Sequence, residues 1–362
     1  LHNPYFIRCT TLAASGACSA WETLNLARGC TGSAACSNTF VAATTNGGSH
    51  SSIGVEPTTN RPVLAVYSTA TPALSTVTVR APNACNVSQT GTANSWGAAA
   101  TVAASSTGIG GLKLIVKGVT DYLLAATVST TAVAVSKFSG AAWFAGVQAI
   151  ETATVAQDGI GAAYDVTSDQ LYTTYAQLPA AAGGAIGNDL KVAAIDPDDL
   201  ATGGAAGSFA TWVVDNRTNL SPNVATAPLL SAAKAPNGLY GFAYYFFDNN
   251  STHASSKLYY GIRAGTNASP IFSERFVTSF QQSAGLATGV GLMPSLAYDS
   301  ASNPIIAAFN GATAEANLIV ARSPDGGVSF SVNVVDDTSA SVGQYPSLAV
   351  SGSAIGVAYY DT

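Results

Sequence analysis

PSLAYDS (294–300), PIIAAFNG (304–311), LIVARSP (318–324) and VSFSVNVVDD (328–337) follow one another as four short strand-like pieces. Each is rich in Val, Ile, Ala or aromatics, with Pro, Gly, Asn and Ser between them, as in strands joined by tight turns. The same four pieces recur along the chain. Counterparts of the first are SIGVEP (52–57), LKLIVKG (112–118), IGAAYDV (160–166), PLLSAAK (228–234) and PSLAVSG (346–352). The second recurs as PVLAVYST, YLLAATVST, QLYTTYAQ, YGFAYYFFDN and AIGVAYYDT, and the third as STVTVRA, AVAVSKF, LKVAAIDP, LYYGIRA and PYFIRCT. A fourth piece opens at an aromatic in every copy: Trp21, Trp96, Trp143, Phe209, Phe272 and Phe330. No segment has the periodicity of a long amphipathic helix.

Six repeats of four short strands predict an all-β chain, a six-bladed β-propeller with four antiparallel strands per blade. The C-terminus supplies a first and second piece, and the N-terminus a third and fourth. A composite blade of residues 340–362 plus 1–30 is therefore expected to close the ring, which would leave no open strand edge. The other blades fall at about 37–103, 104–151, 152–216, 217–280 and 281–337, within a single domain spanning 1–362. Loops rich in Ala, Gly, Ser and Thr, such as 31–51 and 281–292, take up the excess over a compact blade.

Only 9% of residues are charged, and the net charge is −6. Such a surface offers no basic field for phosphate backbones, so no nucleic-acid partner is expected. No apolar run approaches the ~18 residues of a membrane span. Cys9 and Cys18 flank the turn of one hairpin, and Cys30 and Cys36 share the following loop. Disulfides Cys9–Cys18 and Cys30–Cys36 are the expectation among the three pairings that four cysteines allow, with Cys85 left over. Two such bonds imply an oxidising, extracellular setting for a chain whose export signal has been removed. The cysteine spacings lack a CxxC pair, and no metal or cofactor is expected.

Ser323-Pro-Asp325-Gly-Gly327-Val-Ser-Phe330 resembles the Asp box, S-x-D-x-G-x-T-W, with Ser for Thr and Phe for Trp. On this motif and on the repeat, the chain resembles the sialidase-like, Asp-box (BNR-repeat) propellers of secreted bacterial proteins. The resemblance implies that Ser323, Asp325, Gly327 and Phe330 have structural duties, on the face away from an active site. It further implies that a working member would use three arginines on a substrate carboxylate, a tyrosine nucleophile activated by a glutamate, and an acid–base aspartate. Arg8, Arg80, Arg263 and Arg322 share one position of the third piece, with Lys137 in the same place, so the repeat accounts for them. Arg28, Arg61, Arg217 and Arg275 do not converge on a central site in this register, and no catalytic residue is assigned.

Loops at the opposite face bring together His50, Asp158, Asp248, His253 and Tyr345, the candidate ligand-binding residues. Histidines and carboxylates there could serve acid–base or metal chemistry, although polar residues gather in loops in any case. The expected function is a noncatalytic, secreted or cell-surface binding or adhesion module, or a self-assembling structural subunit, with a glycan or a surface protein as ligand. The alternative is a carbohydrate-active enzyme, a glycoside hydrolase or polysaccharide lyase.

Overall fold

The computed structural model describes residues 5–12, 18–25, 47–59, 62–71, 74–80, 100–105, 109–128, 132–139, 142–143, 148–151, 155–177, 188–202, 209–218, 230–250, 253–282, 290–311, 316–337, 342–352 and 354–361. They form strands joined by turns, with one 3₁₀ segment among the described residues, at Pro197–Thr202. The chain divides into two compact units, 1–124 with 135–148, and 125–134 with 149–362.

The first unit begins with a hairpin, β1 (Tyr5–Leu12) and β2 (Cys18–Asn25). A four-stranded antiparallel sheet follows, β3 (Gly47–Val55), β4 (Pro62–Thr71), β5 (Leu74–Arg80) and β6 (Ala100–Ser105), paired in chain order. Next come β7 (Ile109–Gly118), β8 (Asp121–Val128), β9 (Ala132–Ser139), β10 (Ala142–Trp143) and β11 (Gln148–Glu151), in a sheet ordered β10-β9-β8-β7 with β11 also on β9; the unit boundary runs through β8, β9 and β11.

The second unit holds three further four-stranded meanders. They are β12 (Val155–Asp165), β13 (Gln170–Gln177), β14 (Asn188–Ile195) and β15 (Ala210–Thr218); β16 (Leu230–Lys234), β17 (Tyr240–Asn250), β18 (His253–Gly265) and β19 (Pro270–Gln282); and β20 (Val290–Tyr298), β21 (Pro304–Asn310), β22 (Asn317–Arg322) and β23 (Ser331–Asp336). A hairpin, β24 (Val342–Ser351) and β25 (Ala354–Asp361), ends it.

Stacking of these sheets explains the sequence pattern. All seven residues of β21 are buried because sheets lie on both of its faces, so it reads as a continuous apolar run. The outer β23, by contrast, is exposed along most of its length. Phe330 and Phe272, two of the recurring aromatics, pack against the buried clusters that join adjacent sheets. Phe330 meets the edge of Tyr260 at 5.6 Å between centroids.

Serines of three inner strands tie their sheet to the next one within the same unit. The Leu296 N–H donates to Ser231 Oγ (3.1 Å), and the Leu348 N–H to Ser295 Oγ (3.0 Å). In the first unit, the Leu114 N–H donates to Ser52 Oγ (2.9 Å). Gly161 takes the corresponding place in β12, and a Cβ there would lie 2.7 Å from the Ala232 backbone nitrogen. Propeller-type blades of four antiparallel strands are thus present, in the predicted strand order.

The composite closing blade is not. β1–β2 and β24–β25 are separate two-stranded sheets. An isolated strand pair is marginal, but β24–β25 is held from one side, where Leu348, Val350, Ile355 and Val357 cover Ile305, Ala307 and Val320. That burial stabilises the pair without a third strand.

Candidate functional site

Inner strands of the second unit begin with irregular pairing. The register shifts between Val155 and Ile160 in β12, between Val290 and Ser295 in β20, and between Val342 and Ser347 in β24. Bulges of this kind re-aim side chains and concentrate beside active sites. In β20 and β24 the irregularity has one cause, read directly from GLMPSLA and GQYPSLA. Met293 and Tyr345 each precede a proline and each adopt positive φ, 53° and 51°. Left-handed backbone costs a non-glycine residue about 1–2 kcal/mol, and a following proline adds steric restriction.

The surroundings hold this conformation in place. The Tyr345 N–H donates to Met293 Sδ at 3.1 Å. Gly343, at φ 99°, passes so close to Leu318 that a Cβ would sit 2.6 Å from its Cα. Met293 is buried, whereas 53% of Tyr345 is exposed. The strain therefore presents one aromatic ring to solvent at the mouth of an inner strand.

Asp158 lies within the irregular start of β12, at the same end of the sheets. Asp248 and His253 lie at that end of the β17–β18 hairpin, where Asp248 pairs with Ser255 and His253 with Asn250. His50 stands in the first unit at the register shift that opens β3. In β1–β2, Cys9 lies opposite Trp21 and Cys18 opposite Leu12; Cys30 and Cys36 lie outside the described residues.

At the other end of the sheets, the Ser323–Phe330 turn is built around one carboxylate. Asp325 Oδ1 accepts from the Ser323 hydroxyl (2.7 Å) and from the N–H groups of Val328 (3.1 Å) and Ser329 (2.9 Å). Its Oδ2 accepts from the Ser329 hydroxyl (2.6 Å). These donors, the Ser329 hydroxyl foremost, hold the Asp325 carboxyl down at about 2. Gly326 and Gly327 turn the chain at φ 72° and 98°.

The same end of the second unit contains a cavity of about 380 Å³ between the β12–β13, β16–β17 and β18–β19 turns. Asp165 lines it and is ion-paired with Lys234. Desolvation works against the Asp165 carboxylate, but Lys234, the Thr167 N–H (2.9 Å) and the Ser168 hydroxyl (2.8 Å) outweigh it and hold the carboxyl below its usual range. Across the cavity, Arg263 is only 4% exposed, and its guanidinium stacks on Tyr172 and Trp212 at 4.5 and 4.9 Å. The sequence groups Arg263 with the exposed Arg322, yet the two have different surroundings. No local pattern distinguishes them, because Tyr172 and Trp212 come from the preceding sheet.

Asp169, Asp196 and Asp198 also approach one another at this end, with carboxylate oxygens within 4.8 Å. Tyr164 and the Asp198 N–H already occupy Asp169 and Asp196 as donors, at 2.6 and 2.9 Å. Among the described residues, Glu274 accepts a hydrogen bond from Tyr244, the pairing a sialidase nucleophile would need. Tyr244 is buried in the core between sheets, however, and cannot meet a substrate.

No family model matches the sequence, and neither does any curated protein. Among solved structures, an α-L-arabinofuranosidase from Fusarium graminearum in complex with arabinobiose is similar at 9% identity and a TM-score of 0.48, covering 83% of each chain. An α-L-arabinanase from Penicillium chrysogenum is similar at 13% identity and a TM-score of 0.47, covering 83% of this chain and 84% of its own. A Bacillus licheniformis endo-arabinanase covers 82% of this chain and 98% of its own, at 13% identity and a TM-score of 0.34. The expectation of a noncatalytic adhesion module or structural subunit is corrected on this point, since these neighbours are glycoside hydrolases. At these identities and TM-scores no residue role transfers from them.

Proposed function

We propose that the chain is a carbohydrate-active enzyme of β-propeller architecture, cleaving glycosidic bonds at the irregular end of its inner strands. Tyr345 is the observation that carries the reading: an aromatic held in left-handed backbone before a proline, yet largely exposed. Strain of that kind persists only where the surroundings enforce it, and it clusters at ligand sites. An exposed ring provides an apolar face with a polar tip, which suits a sugar. Asp158 and Asp248 are the carboxylates that the topology brings to the same end. Glycoside hydrolysis uses such a pair, one as acid and the other as base or nucleophile.

This reading includes the finer expectations from sequence. The repeat is that of a six-bladed, sialidase-like propeller, the Ser323–Phe330 turn is an Asp box with structural duties, and the protein acts outside the cell on glycan partners. A panel of arabino-, xylo-, galacto- and uronate-oligosaccharides, followed by mass spectrometry of the products, tests it. Cleavage of at least one member is expected. Tyr345→Ala should raise KM about tenfold, ~1.4 kcal/mol, with little change in kcat. Failure to cleave any member would remove the proposal.

A further inference from the structure

Among the described residues, Arg263 is a buried cation without an anion of its own. Its Nη1 donates to Tyr172 Oη (3.1 Å) and, at 3.5 Å, to the Gly265 carbonyl; its Nη2 donates to Asn267 Oδ1 at 2.6 Å. All three acceptors are neutral, and among the described residues the Nε–H has no partner. Asp165 interacts only at a distance, and its carboxylate is already paired with Lys234. Burying a guanidinium costs far more than stacking on two aromatic rings returns. The remaining charge faces a cavity of about 380 Å³ whose other walls include Ser168, Gln170, Tyr240 and Thr266.

Shape and lining narrow what would fill that cavity. Its size suits a single sugar-sized molecule. The lining hydroxyls and amides can bond hydroxyl groups, and an arginine with unclaimed N–H groups matches a planar carboxylate. We propose that the cleft between the β12–β13 and β18–β19 turns is a binding site for a hydroxylated carboxylate of monosaccharide size, such as a uronate, with Arg263 as the anion receptor. This site lies at the end of the sheets opposite Tyr345, and it does not depend on the proposed glycosidase activity. Asn267, which also donates to Gln170 Oε1 at 3.0 Å, spans the two turns at its rim.

Asn267→Asp provides the test, because it sets a carboxylate against Arg263 Nη2 from an exposed turn whose change leaves the core intact. Wild type, Asn267→Asp and Arg263→Gln are compared by calorimetry and thermal melting, with sodium D-glucuronate as probe and D-glucose as the neutral control. Wild type is expected to bind glucuronate but not glucose and to melt higher in its presence. Asn267→Asp is expected to melt above wild type without ligand and to bind glucuronate at least roughly tenfold more weakly. Arg263→Gln, where it folds, should lose the response. Equal responses to glucuronate and glucose, no response of wild type to either, or undiminished glucuronate binding by Asn267→Asp would each overturn the proposal.

Discussion

Replacing Gly327 by alanine tests how the turn before the fourth strand is locked to its neighbour. The backbone at this position has φ 98°, and a Cβ would lie 2.3 Å from Tyr260 Cε1 and 3.0 Å from its Cδ1. Tyr260 cannot readily move away. It is buried in the cluster joining two sheets, its hydroxyl is 2.9 Å from Tyr298 Oη, and Phe330 packs on its ring. Left-handed backbone costs an alanine about 1–2 kcal/mol, and overpacking of a filled core costs about 1–3 kcal/mol more.

Gly327→Ala should therefore destabilise by about 2–5 kcal/mol. Gly326→Ala is the internal control, since Gly326 also has positive φ, at 72°, but a Cβ there meets nothing within 4 Å. Only the backbone term, about 1–2 kcal/mol, should remain. Urea titration of both variants reads the difference as a shift in midpoint at constant slope. In a Tyr260→Leu background the extra cost of Gly327→Ala should shrink, giving a coupling of about 1–3 kcal/mol. Equal losses for the two glycine variants, or a coupling near zero, would refute the claim that the Tyr260 ring demands glycine.

Two further outcomes follow from buried or structured carboxylates. Glu56 is fully buried and accepts from Tyr122 Oη (2.5 Å), the Thr120 N–H (3.1 Å) and Thr59 Oγ1 (2.5 Å). Glu56→Ala should cost ~1–3 kcal/mol for each buried donor left unsatisfied, with Glu56→Gln losing much less, both measured by thermal or urea unfolding. Asp325 has its folded pKa lowered to about 2 from 3.8, so its contribution is complete above about pH 4 and is lost as pH falls through 2. The stability gap between wild type and Asp325→Asn, followed by urea midpoint, should close over that interval; a gap independent of pH would remove the assigned role.

Much of this fold was legible in the chain because propeller-type blades are local meanders. The run Pro304–Asn310 reads as the second strand of a repeat, and it forms a strand buried along its whole length. Ring closure was different in kind: it required strands at opposite ends of the chain to pair. No periodicity within either piece specifies that register, and the structure has two separate hairpins. The function expectation failed for a related reason. Low charge and a missing arginine set describe an absence, and absences in sequence do not identify a noncatalytic protein.

At the candidate sites, sequence marked Tyr345 as a loop-face residue but not as strained. The paired GLMPSLA and GQYPSLA segments carried that signal, a glycine three residues before a proline at the same place in two repeats. Arg263 was not legible in this way. Its two stacking rings and its Tyr172 acceptor are distant in the chain, the nearby Gly265 and Asn267 carry no charge to mark the site, and its repeat position pointed to the scaffold.

The central claim, cleavage of a glycosidic bond, is tested most directly by running the oligosaccharide panel in heavy-oxygen water and weighing the products. A hydrolase places one heavy oxygen on the anomeric carbon of each newly formed reducing end, while the other new end keeps the bridging oxygen, and the account predicts that label in wild-type products, greatly reduced in yield by Asp158→Asn or Asp248→Asn. An uncleaved panel, or cleavage products without the label, would contradict it.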